Sequence, residues 1–136
     1  MHMESQENKR HKVSLKGYIK GLSYAKDGLK SAYKNEQSMT LHFFTTIMIV
    51  GLCIILKATP NEWAVSILLL GLIAGMELIN TALEAVIDLI CPKIHPLAKV
   101  GKDTASGAVG LLSCLAFVFW VLLFGPRLAM LVTSLF

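Results

Sequence analysis

The segment from Met76 to Asp88, MELINTALEAVID, constrains this chain more than any other. Glu77, Asn80, Glu84 and Asp88 stand there at offsets of 0, 3, 7 and 11, among Met, Leu, Ile, Thr, Ala and Val. At about 100° per residue these offsets fall on one side of a helix. The flanking sequence reads as membrane span. An ionisable group inside a membrane helix is costly and is by default a candidate functional group. Three carboxylates and an amide on one stripe point to a cation site beside a proton acceptor.

Composition agrees with a membrane chain. Of 136 residues, 54% are hydrophobic and 16% charged, against ~25% charged in a typical soluble domain. The length suits one unit. Net charge is +4, and residues 1–40 carry eight of the thirteen basic residues. A basic arm leading directly into apolar spans fits an anionic membrane surface better than nucleic acid. The first forty residues lack the apolar core of a cleavable signal. Cys53, Cys91 and Cys114 show no metal-binding spacing and read as small buried apolar residues.

Along the chain, residues 12–35 read as an amphipathic helix lying in the membrane interface. Val13, Leu15, Ile19, Leu22, Ala25, Leu29 and Tyr33 cluster on one side, with lysines largely opposite. The expected spans are 41–57, 63–91 and 104–125. A tight turn at KATPNEW separates the first two, with Trp63 as an interfacial anchor. Pro92 and Pro96 stop the second span, and Gly125-Pro126 closes the third, leaving 126–136 as an apolar tail. The second span exceeds the ~20 residues a bilayer requires. Its end, with Glu84 and Asp88, therefore reaches the interface, while Glu77 lies deeper.

With the amino terminus inside, segments 1–40 and 92–103 hold eleven basic residues and the outer segments hold Lys57 and Arg127. That bias orients the amino terminus and the 92–103 loop toward the cytoplasm. Gly71 and Gly75 form a GxxxG pair, and Gly107, Ala108 and Gly110 are also small, which suits close helix approach. Three spans make a thin bundle that leaves the polar stripe facing lipid, so a homo-oligomer is expected to cover it. The loop KVGKDTASG fails the GxxxxGK[ST] pattern, with Pro96 at the first glycine position and Asp103 after Lys102. Lys102 remains a candidate phosphate partner, and Asp103 a candidate cap for the third helix.

ELINTALEAVIDLI followed by HPLAKVGKDTASGAV, with GLKSAYKNEQS upstream, resembles the small bacterial membrane kinases, the prokaryotic diacylglycerol and undecaprenol kinases. The resemblance covers roughly residues 18–126. It implies an all-α membrane protein with three transmembrane helices and an N-terminal surface helix. It further implies a homotrimer with shared active sites in the bacterial cytoplasmic membrane. The implied reaction moves the γ-phosphoryl of MgATP to a lipid hydroxyl. Glu77 is then the general base. An unactivated alcohol needs such a base, and carboxylates removed from water hold a proton more readily. Asn80 orients the hydroxyl or the carboxylate. Glu36 and Glu84 match ligands for Mg²⁺, which takes one or two carboxylates with phosphates and water. Lys102 matches the lysine that neutralises phosphates. Asp103 matches an acidic residue of the same site, Asp88 a supporting aspartate, and Tyr24, Gly28 and His95 residues bordering the nucleotide.

Pro96 replaces an acidic residue present in some diacylglycerol kinases. The HPLAK string looks more like the Gram-positive branch, which prefers undecaprenol. Undecaprenol is therefore the expected acceptor and diacylglycerol the alternative. A small proton-coupled transporter with Glu77 as coupling carboxylate is a more distant reading, which leaves the Lys102-Asp103 pair and basic helix without a role.

Overall fold

The computed structural model describes residues 15–93 and 95–134. Residues 12–14 of the expected first helix, including Val13, and the last two of the tail lie outside the described residues. The fold is all-helical: α1 (Leu15–Asn35), α2 (Gln37–Ile55), α3 (Pro60–Ile90) and α4 (Pro96–Thr133). The last three are long and apolar enough to cross a membrane. At 1.5 Å per residue, α3 and α4 exceed the ~30 Å hydrocarbon layer, so their ends project from it.

Local signals fix the helix ends. Glu36 is a single extended residue between α1 and α2 (φ −109°, ψ 120°), and its side chain makes no capping hydrogen bond. After α2 the chain turns through Lys57 at φ 50°. The amides of Ala58 and Lys57 bond back to Cys53 and Ile54 carbonyls at 2.8 and 3.2 Å. This is a Schellman closure, with lysine where glycine is usual. Thr59 then caps α3 in a reciprocal box with Glu62, and Pro60 opens the helix.

Three sequence expectations shift at the loops. Pro96 starts a helix: His95 caps α4, its Nδ1 accepting from the Leu97 amide at 3.2 Å. Asp103 therefore lies inside α4 and caps nothing. Gly125-Pro126 does not end the last helix, which runs on to Thr133. Proline removes one amide and crowds the preceding turn, yet membrane helices tolerate it where neighbouring helices support the backbone. One residue later a side-chain pair ties this last stretch of α4 to α3. Arg127 donates to both carboxylate oxygens of Glu62, at 2.6 and 3.1 Å.

That pair closes one end of the antiparallel α3–α4 hairpin. Lys102 and Asp88 close the other, 2.6 Å apart. Between them Trp120 Nε1 donates to the buried Ser66 hydroxyl at 3.3 Å, so that neither indole nor hydroxyl is orphaned in apolar surroundings. Ile49 and Cys53 from α2, Ile73 from α3, and Ala116, Trp120 and Phe124 from α4 form the main core. Trp63, half-buried near the start of α3, packs against this core. Cys53 is buried as expected, whereas Cys91 is half-buried and Cys114 exposed. A Cβ added at Gly71 or Gly75 would meet nothing within 4 Å, so the GxxxG pair is unused within the protomer. Gly101 instead lies at a close approach, its added Cβ 3.1 Å from the end of Ile87.

The clamp beyond Pro126 generates a stability prediction. Arg127→Ala removes two of the bonds to Glu62, leaving its carboxylate only the Thr59 amide, and is expected to lower the thermal midpoint in detergent by a few degrees. Glu62→Gln/Arg127→Gln should lose less than the two single changes added together, because each single change strands a polar group. Strict additivity in thermal melts would show that the pair is not coupled.

Candidate active site

The end of the bundle where α2 begins, α3 ends and α4 begins gathers most of the polar side chains. Glu77 is only 8% exposed. Its cover comes from the first turns of α2 in the same chain. Ser38 Oγ donates to Oε2 at 3.3 Å, and His42 Nε2 lies 3.1 Å from Oε1. The expectation that one protomer leaves the whole stripe facing lipid is thus corrected at Glu77. The reason is that the head of α2 carries two polar groups one turn apart, Ser38 just before the expected span and His42 just inside it.

One turn on, Asn80 Nδ2 donates to Glu84 Oε1 at 2.9 Å. Asn80 Oδ1 is buried with no partner among the described residues. A buried acceptor left unmade is costly, so this oxygen marks a place where a donor is wanted. Asn80 also borders a cleft of about 410 Å³ between α3 and α4, floored by Gly101, Ala105 and Ala108.

At the membrane-exit end, Asp88 and Lys102 pair across α3 and α4. Lys99 pairs with Asp103 one turn along α4. These four residues, with Lys93 and His95, line a cleft of about 260 Å³. Three ammonium groups against the two carboxylates of Asp88 and Asp103 leave the concavity net positive, which suits an anion. His95 serves this cleft as a wall while its Nδ1 is committed to capping α4.

The other expected residues are not drawn in. Tyr24 on α1 is 62% exposed, with Lys20 over its ring at 5.8 Å. Gly28 has open space around it. Among the described residues no three His, Cys, Asp or Glu side chains are grouped to hold a metal, so Glu36 and Glu84 do not form a closed site within one chain. Ser38 and His42 were not among the residues expected at the site. The signal that could have found them is an i, i+4 polar pair at the head of an apolar helix.

Comparison with known proteins matches this architecture. The family profile of prokaryotic diacylglycerol kinases matches residues 23–124. The undecaprenol kinase of Bacillus subtilis is 31% identical over 122 residues, covering 90% of this chain and 99% of that protein. The diacylglycerol kinase of Helicobacter pylori strain 26695 is 37% identical over 119 residues, covering 84% and 86%. That of Escherichia coli K12 is 29% identical over 105 residues, covering 77% and 86%. The chain belongs to the prokaryotic diacylglycerol kinase family and is a multi-pass membrane lipid kinase.

Asp88 holds the Lys102 ammonium at the cleft. Asp88→Asn is therefore expected to raise KM for the phosphoryl donor about three- to tenfold with little change in kcat, and Lys102→Met to cost far more in kcat/KM. Equal KM values for wild type and Asp88→Asn would remove that tethering role.

Proposed function

We propose that this protein transfers the γ-phosphoryl group of MgATP to the hydroxyl of undecaprenol. The observation that carries the reading is Glu77, a nearly buried carboxylate at the rim of an apolar bundle in a chain of lipid-kinase kinship. The acceptor's O–H bond breaks as its oxygen attacks the γ-phosphorus, the proton passes to Glu77, and the bond to ADP breaks. Asn80, one turn further along α3, steers the incoming lipid beside Glu77, and its Oδ1 is open to a donor other than the proton that Glu77 takes. Lys102, backed by Lys93 and Lys99 in the cleft, balances phosphate charge.

Bound Mg²⁺ would offset phosphate charge. Glu84 fits as a ligand because its carboxylate is already oriented by Asn80, and Glu36 because its carboxylate is not spent on capping. Among the described residues too few ligands are grouped for a closed all-protein cage, which is consistent with an ion completed by phosphates and water. A homotrimer with shared sites is supported by the uncontacted Gly71 and Gly75 and the small-residue cleft beside Asn80. The lysine-rich α1, with Ile19 and Leu22 exposed, suits a surface helix, and the charge bias supports a cytoplasmic amino terminus in a bacterial inner membrane.

Undecaprenol is favoured over diacylglycerol by the His95-Pro96-Leu97-Ala98-Lys99 string and by the fuller coverage of the Bacillus relative. Diacylglycerol remains the second reading, since other relatives carry that name. The proton-coupled transporter loses its ground once the chain falls in a kinase family.

The test is label transfer from γ-labelled ATP in mixed micelles, with each lipid offered separately. Faster labelling of undecaprenol is expected, and faster labelling of diacylglycerol would overturn the acceptor assignment. Glu77→Gln should lower turnover by about 10²–10⁴-fold while nucleotide binding persists. Glu84→Gln should shift the Mg²⁺ titration to higher concentration, and an unmoved titration would contradict a ligand role.

A further inference from the structure

A base must do more than be present: its lone pair must point at the hydroxyl when the phosphorus is in line. A glutamate side chain is flexible, and its carboxylate turns freely about the last bond. In this chain both oxygens are held from one side by one turn of α2. Ser38 donates to Oε2 at 3.3 Å and His42 approaches Oε1 at 3.1 Å. The two donors are four residues apart and share a helix face.

We propose that His42 is a positioning residue for phosphoryl transfer, donating its Nε2–H to Glu77 and so fixing the plane of the catalytic carboxylate, with Ser38 as the second point of attachment. The proposal rests on the reading of Glu77 as general base. Each oxygen accepts one bond from α2 and keeps a lone pair, so the carboxylate is oriented without being used up. The contact suits this purpose because it is nearly dry: the His42 and Glu77 side chains are 18% and 10% exposed. The His42 ring also heads an apolar groove of about 440 Å³ between α2 and α4, lined by Met48, Phe117, Trp120 and Phe124. Its loss can therefore be compensated sterically by leucine, and its polar function can be separated from its bulk.

The experiment uses the full chain in mixed micelles with MgATP and lipid. His42→Leu is expected to lower kcat about ten- to a hundredfold, the range for losing a hydrogen bond to a charged group. KM for MgATP should move by less than about twofold. His42→Gln, which returns an N–H donor near the Nε2 position, should recover most of kcat. In a Glu77→Gln background the His42→Leu effect should vanish. A second readout needs no turnover. In infrared difference spectra the carboxylate band lost in Glu77→Gln should shift in His42→Leu and return in His42→Gln.

An unmoved band in His42→Leu would overturn the contact. A shifted band with unchanged kcat would overturn the positioning role, as would failure of His42→Gln to recover activity. Near-normal turnover of Glu77→Gln, with the band still shifting in His42→Leu, would instead remove the base assignment that the proposal rests on.

Discussion

The structure depends on how a carboxylate is kept inside an apolar bundle. Glu77 stands nearly covered on a helix whose neighbours are almost all hydrocarbon. Lipid offers no hydrogen bonds, so every polar group it meets must be satisfied by protein or carry a large cost. The chain meets this by bending once at Glu36 and bringing the head of α2 across α3. Ser38 and His42 then sit on the carboxylate. The result is an ionisable group inside an apolar helix that is nearly covered and held on one side by α2.

The α3–α4 hairpin fixes where this edge lies. Its ends are pinned by Asp88 with Lys102 and by Glu62 with Arg127, and the buried Trp120–Ser66 bond lies between them. Because α4 starts at Pro96, well before its apolar part, Lys99, Lys102 and Asp103 ride on a rigid helix beside the end of α3. A cleft with three lysines and a buried carboxylate therefore lie about three turns apart along α3, the cleft against α4 and the carboxylate against α2. That spacing is what a phosphoryl donor in water and an acceptor in lipid require.

Much of this was legible in the sequence. The apolar runs marked three helices long enough to span a membrane, and the polar positions of MELINTALEAVID marked the face of α3 that meets the head of α2, because helical periodicity survives in any packing. Pro126 misled, because proline stops helices in water more reliably than in a bundle where Arg127 is clamped to Glu62. Asp103 misled because His95, a less common cap, starts α4 earlier. The Glu62–Arg127 pair joins residues 65 apart, a separation that no local pattern encodes. His42 was hidden for a different reason. A lone histidine at the head of an apolar helix looks like a span boundary until the facing residue is known to be Glu77.

The most direct test of this account asks whether the carboxylate is covered by its own chain. With Cys53, Cys91 and Cys114 replaced by alanine, Ser38→Cys/Glu77→Cys protein in membranes is treated with a short bifunctional thiol reagent. The account predicts an intrachain bridge: a monomer-mass species with both thiols blocked. A dimer-mass species as the main product would contradict it, because Ser38 would then reach Glu77 only across a boundary between two copies.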